Sequence, residues 1–291
     1  MSLLVKFNLI LVLVFSAALV PAGILSYSLL QRNARTQVVE NARIMMQTAL
    51  ATRAYTIKQI KPLLDARPSE EFLPQTVPAY SATEIFNALR ESHAEYSYKE
   101  ATLNPTNPRD RTSDWEADIV NAFRSDDKRT ELMGERATQD GRSLYLARPI
   151  RITDAKCLVC HSTPDKAPVS MLKNYGSANG FGWKQNEIIG AQIISVPMSI
   201  PIRMADDAFR ALVGSLVGVF ALTLVFLNVL LQFIVIRPLK RLSDMADKVS
   251  TGSLDVPDVK VKGTDEVAVL AGSFNRMRIS LAKALKMLDS D

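Results

Sequence analysis

At 291 residues the chain is long enough for one sizeable domain with attachments, and its composition is that of a globular protein except where apolar residues concentrate. The net charge of +5 comes without a basic, aromatic-interleaved patch, which excludes nucleic acid as an expected partner. Two cysteines and two histidines are too few for a disulfide framework or a multi-cluster metal protein.

Leu9 to Leu25 is apolar apart from Ser16 and, with its flanks, long enough to span a bilayer. A cleaved signal peptide is the competing reading, but its apolar core is normally shorter and Val20-Pro21-Ala22-Gly23 offers no A-x-A-like site. Helical signal continues through Asn33 to Ile60 and is expected to stop at Pro62; Met45 and Met46 fall on its apolar face. A connector with Pro68, Pro74 and Pro78 leads to a short helix from Ser81 to Ser92, with Ser81 and Glu84 placed as a capping box.

Tyr96 to Leu103 alternates as a strand and Asn104 to Pro108 ends it in a loop. Asp114 is placed to cap a helix from Trp115 to about Arg124. Thr130–Thr138 and Ser143–Ile152, joined through Asp140-Gly141, read as a hairpin. After a long irregular stretch with Gly176, Gly180 and Gly182, Ile188 to Pro197 reads as a further strand.

Between the last two strands lies Cys157-Leu158-Val159-Cys160-His161, the C-x-x-C-H attachment signature of a c-type haem. Two thiols three residues apart reach the two vinyl groups of one porphyrin, and the next histidine turns its imidazole onto the iron. Both cysteines and one of the two histidines fall within these five residues. A zinc site would need further ligands, a thioredoxin-like pair would open a helix after a strand, and a Cys157–Cys160 disulfide would close a very small loop; these are the competing readings.

Ala211 to Ile236 is a second, uncharged apolar run, read as a transmembrane helix. Arg237, Lys240 and Arg241 mark its far end as cytoplasmic, against the weaker signal of Arg32 and Arg35; the middle domain is therefore expected in the periplasm of a bacterial inner membrane. Beyond it, Leu239, Leu242, Ala246 and Val249 step along one helix that Gly252 stops. A connector with Leu254, Val256, Val259 and Val261 follows, and Asp265-Glu266 starts a second helix. Val267, Leu270, Phe274, Met277, Leu281, Ala284 and Leu288 form its seam, which two short helices cannot bury alone; a homodimeric four-helix bundle is expected.

From Val235 to about Leu288 the chain resembles a HAMP signal-relay module, through the proline after the membrane, the glycine and apolar connector, and Phe274-Asn275-Arg276-Met277. The middle part resembles a bacterial family of haem c sensor-like domains with a PAS-like fold. Arg53 to Thr56, Pro74 to Tyr80, Tyr98 to Pro108 and Cys157 to His161 carry that resemblance. It implies an α+β plan: a PAS-like periplasmic domain, an antiparallel sheet with helices, between two transmembrane helices, followed by an all-α HAMP helical bundle. The expected domains are 1–30 (first span), 31–207 (haem domain), 208–236 (second span) and 237–288 (HAMP).

One covalently bound haem c is expected, on Cys157 and Cys160, with His161 on the iron. The resemblance implies that a side chain of the first helix approaches the haem, which favours Met46 or Met45 as sixth ligand over His93, the other histidine; a vacant position stays open. Arg148, Arg151 and Lys184 are candidates for the propionates, with solvated cations the alternative. The favoured function is a redox or gas sensor, a diatomic gas being a candidate ligand; the runner-up is a membrane-tethered electron carrier with a periplasmic redox partner. No catalytic constellation points to an enzyme. Because the sequence stops at Asp291 with no output segment after the HAMP-like part, a cytoplasmic partner in trans is expected.

Overall fold

The structure is a computed structural model that describes residues 1–66, 71–139, 141–253, 256–259 and 263–288. Pro68, Asp140, Leu254, Val261 and the side chain of Leu288, which enter the expectations above, lie outside what is described. The chain forms two compact units, Tyr27–Ala208 and Met1–Ser26 with Phe209–Asp291.

The helices are α1 (Leu3–Tyr55), α2 (Lys61–Asp65), α3 (Pro78–Ser92), α4 (Asp114–Ser125), α5 (Leu158–His161), α6 (Val169–Tyr175), α7 (Ser199–Leu231), α8 (Arg237–Ser250) and α9 (Glu266–Leu288). The strands are β1 (Ser97–Thr102), β2 (Leu132–Thr138), β3 (Gly141–Arg151) and β4 (Ile188–Pro197). They build one antiparallel sheet in the order β1-β4-β3-β2.

Strand β4 is central and covered on both faces, which is why its sequence is apolar almost throughout instead of alternating. On one face Ile194 and Val196 pack with Leu144 and Leu146 against the buried stripe of α1, Val38, Ala42, Met46 and Ala49. On the other, Ile193 and Ala191 meet Ile119, Val120 and Phe123 of α4. The expected plan, helices on an antiparallel sheet between two long apolar helices with a helical tail, is the one observed.

Local expectations needed correction at four places. The helix does not stop at Pro62. A π-turn over Thr56–Ile60, in which the Lys61 N–H donates to the Thr56 carbonyl, is followed by α2 with Pro62 in its first turn. The wider turn accommodates a ring that a regular helix would drive into a preceding carbonyl. The same device recurs over Gln232–Ile236, just before Pro238. Helix α3 begins at Pro78, so Ser81 lies inside it and forms no capping box with Glu84; proline takes the first position because no N–H is needed there. Helix α4 is capped by Ser113 in a capping box with Glu116, and Asp114 is its first residue. The stretch expected to be irregular contains α6, which Gly176 ends at a φ of 74°.

In the other unit, the side-chain amides of Asn8 and Asn228 exchange hydrogen bonds of 2.8 and 2.7 Å between α1 and α7, and Phe15 stacks on Phe220. Reciprocal amides satisfy both polar groups within an otherwise apolar pair of helices. Leu242 of α8 packs with Val259 and Ala271, flanked by Met245 and Phe274. Asn275 secures the connector: its amide accepts from the Val259 N–H and donates to the Val259 carbonyl, both at 3.1 Å. Asp265 caps α9 by accepting from the Ala268 N–H at 2.8 Å.

Candidate haem site

The C-x-x-C-H motif forms a single tight turn immediately after β3. Asp154 accepts from the Lys156 N–H at 2.9 Å, turning the chain through Ala155–Cys157 into α5, so Cys157, Cys160 and His161 stand on adjacent positions of one short helical rise. Both thiols are free and half-buried, and burial pushes both above the ordinary cysteine range, helped at Cys157 by the nearby Asp154 carboxylate. Val159, between them, is 59% exposed. Among the described residues no group of three or more His, Cys, Asp or Glu side chains forms a metal cluster.

His161 is the most constrained member of the motif. Its Nδ1 lies 2.8 Å from the Gly180 carbonyl oxygen, which can only accept, so Nδ1 carries the proton and Nε2 keeps its lone pair. The Thr106 hydroxyl lies 3.3 Å from the same nitrogen. Trp183 stacks on the imidazole, ring centroids 3.9 Å apart and 15° from parallel. Burial lowers the imidazole pKa, favouring the neutral ring that a metal requires.

Two chain segments hold this arrangement. The Trp183 and Gly182 N–H groups donate to the carbonyls of His161 and Ser162 at 3.2 and 2.9 Å. Asn104 accepts from the Gly180 N–H and donates to the Phe181 carbonyl, both at 3.1 Å. Gly180 has a φ of 83°, and a Cβ there would collide with Thr106; the close approach that lets its carbonyl reach His161 needs glycine.

Helix α1 and its extension form the neighbouring wall. Arg53 acts electrostatically on Cys157, and Lys61 and Asp65 act on Cys160, so the end of α1 and α2 lie beside the motif. Arg53 forms an ion pair with Glu100 of β1, which is almost fully buried. Glu100 also accepts from the Tyr98 hydroxyl at 2.6 Å, and Gln192 of β4 donates to that hydroxyl at 3.4 Å. Burial, then the adjacent carboxylate, hold the Tyr98 phenol protonated well above its ordinary range.

Met46 is fully buried in the sheet-facing core with Phe86 and Leu146, and Met45 is half-buried beside it. Arg53, seven residues on, is about 10 Å further along the helix. His93 ends α3, mostly exposed, 3.9 Å from Glu95 and edge-on to Tyr96. Arg148 pairs with Glu131 at 3.0 Å, and Arg151 donates to the carbonyls of Asn186 and Asp127. Lys184 is exposed and follows Trp183. Sequence reasoning missed the buried Arg53–Glu100–Tyr98 network and the Asn104–Thr106 clamp, although both lie in stretches that carried the family resemblance.

A comparison with protein families matches residues 31–197 to the Tll0287-like family, described as Tll0287. The chain belongs to the Tll0287-like family. The match covers the sheet, α1 from residue 31 and the C-x-x-C-H turn. A HAMP domain follows at residues 233–283. Among solved structures, the crystal structure of the cyanobacterial heme-protein Tll0287 is similar at 15% identity and a TM-score of 0.43, over 55% of this chain and 94% of that one. No curated protein matches. The site described above therefore lies inside the Tll0287-like domain.

Proposed function

We propose that this protein is a bacterial inner-membrane sensor whose Tll0287-like domain holds one haem c in the periplasm and relays its state through a cytoplasmic HAMP domain to a partner in trans. The observation that carries this reading is His161, its Nδ1 committed to Gly180 and its Nε2 free, one residue from Cys160 in a chain that continues into a HAMP domain. The residues fit the group: two free thiols in one turn, a neutral oriented imidazole, and an exposed apolar side chain, Val159, within the motif. The proposed domain limits are 1–30, 31–207, 208–236 and 237–288.

Cys157 and Cys160 would hold the haem through thioethers and His161 would ligate its iron. Met46 or Met45 of α1 would be the other iron ligand; Met45, half-buried, would turn its thioether with less loss of packing than Met46, which would have to leave the sheet core. His93, exposed at the end of α3, is the weaker candidate. Lys184 is the first choice for a propionate, since Arg148 and Arg151 already have protein partners. When bound, the haem would supply reversible one-electron chemistry, and a diatomic gas would compete with the α1 side chain for the iron. The part of this chain is to hold and orient it, and to make α1 part of its surroundings.

The HAMP domain pairs with that of a second copy. In the single chain Leu270, Met277 and Leu281 of α9 are 51%, 58% and 42% exposed, an apolar surface a partner helix would cover. A bias of only a few kcal/mol is enough to shift such a bundle between two packings.

Cysteine pairs introduced across the dimer at Leu242 and Phe274 are expected to crosslink at different rates in oxidised and reduced membranes. Replacing the ligating methionine by alanine is expected to abolish the difference. Equal rates in the parent protein would replace the sensor with a tethered electron carrier. Orientation has its own test: an alkaline phosphatase fusion after Pro168 is expected to be active and one after Ser253 inactive, because the reporter requires export. The reverse pattern would place the motif in the cytoplasm and remove the basis for the proposal.

A further inference from the structure

The Tll0287-like domain contains a concavity of about 340 Å³ that no residue of the C-x-x-C-H motif lines. Its floor is the sheet face that α4 covers elsewhere. Along this face Ala101, Ala191 and Ala147 are buried and apolar, but two residues further along β1 and β4 the pattern changes. Lys99 lies opposite Ile193, and Ser97 opposite Ser195. Lys99 is satisfied within the chain, by the Glu116 carboxylate and the Arg111 carbonyl at 2.7 Å each, so the case for a polar occupant rests on the other cations around this end of the face.

The charge of the lining is unbalanced. Arg90, Lys99, Arg109 and Arg136 face it with only two carboxylates, Asp110 and Glu116. The Glu116 carboxylate is already taken by the Lys99 ammonium and the Ser113 N–H, both at 2.7 Å. Arg109 pairs with Glu84 at 2.5 Å. Asp110 is pushed up to about 6, chiefly by burial, so at neutral pH it is still mostly charged and opposes an anionic guest.

Arg136 differs from the other cations. Like Arg90 it has no carboxylate partner among the described residues, but its guanidinium alone of the four is held by an aromatic face inside the lining, 4.0 Å over the Trp115 ring. Trp115 in turn packs on Tyr145 at 5.6 Å, and the Tyr145 ring lies across Gly134, where a Cβ would stand 2.7 Å from a ring carbon. The aromatic stack fixes the guanidinium plane and leaves its N–H groups for a guest, the planar fork that suits a carboxylate. The volume falls in the range of small-molecule sites, and Trp115 and Ile193 supply apolar wall beside the cations, which suits an organic body more than a bare inorganic ion.

We propose that this cavity binds a small organic carboxylate, its carboxylate held by Arg136 and its body against Trp115 and Ile193. The turn that brings Arg109 and Asp110 into the wall also carries Thr106 against His161, so an occupant of the cavity lies beside the loop that holds the motif histidine.

The test is calorimetric titration of the full-length chain in detergent with benzoate, succinate, benzamide and inorganic phosphate. At least one of the two carboxylates is expected to bind with 1:1 stoichiometry and benzamide to give no saturable heat. Arg136→Gln is expected to weaken carboxylate binding at least tenfold, and Asp110→Asn, which removes an opposing negative charge, to tighten it several-fold. Neither change touches the C-x-x-C-H turn, so the absorption spectrum of each variant should match the parent. Absence of carboxylate binding, equal binding of benzamide, binding of phosphate alone, or an unchanged affinity in Arg136→Gln would each overturn the assignment.

Discussion

Replacing both Cys157 and Cys160 by serine is expected to abolish covalently retained haem. After extraction with acidified organic solvent the parent chain keeps its haem in the protein pellet, and the double variant loses all of it to the solvent. The size of the effect follows from its chemistry: with neither sulfur there is no bond left for denaturing solvent to respect, whereas a single replacement leaves one thioether. The fold should survive, since both thiols are half-exposed and neither belongs to the buried clusters on the two faces of the sheet. Equal extraction from parent and variant would end the c-type reading and leave the turn as an ordinary pair of free thiols.

The second large effect is expected at Arg53. Its guanidinium partners Glu100, whose side chain is only 5% exposed, and Arg53→Met strands that carboxylate between α1 and the sheet. Breaking one half of a buried pair costs about 3–5 kcal/mol, and the partial exposure of Arg53 places the expectation near about 3. For a domain of this size that corresponds to a fall of about 6–12 °C in the melting temperature, read from near-ultraviolet circular dichroism. Adding Glu100→Gln removes the orphaned charge while keeping an acceptor for the Tyr98 hydroxyl, and most of the loss should return. A single variant within 1 kcal/mol of the parent would mean that water reaches Glu100 and that the network is not a buried one.

The same pair shows where sequence reasoning stopped. Hydrophobic periodicity placed α1, and alternation with turn residues placed the four strands to within a residue or two, because both follow from local geometry: a period of 3.6 or of 2 and a residue that ends it. Capping was less legible. Ser113 and Asp114 are both good N-cap types, and which one takes the role depends on where Glu116 can reach. Pro62 looked like a stop because a regular helix cannot absorb it, yet a π-turn does, and nothing in Thr56–Ile60 announces one.

For the site, the sequence by itself determined the chemistry: two thiols and an imidazole at a spacing that suits one porphyrin, two apolar runs long enough to span a bilayer, and a heptad seam after the second. These are properties of residues close along the chain, where spacing is geometry. Only the tertiary structure decided which nitrogen of His161 is free, because that depends on Gly180, Thr106 and Trp183, residues 19, 55 and 22 positions away. It also decided that Arg53 meets Glu100 across 47 residues and that Arg136 lies over Trp115 beside a cavity. Charged and aromatic side chains carry no periodic signal of their partners, so their pairings are set by how α1, α3 and α4 pack on the sheet, where burial raises the cost of every polar group left unmatched.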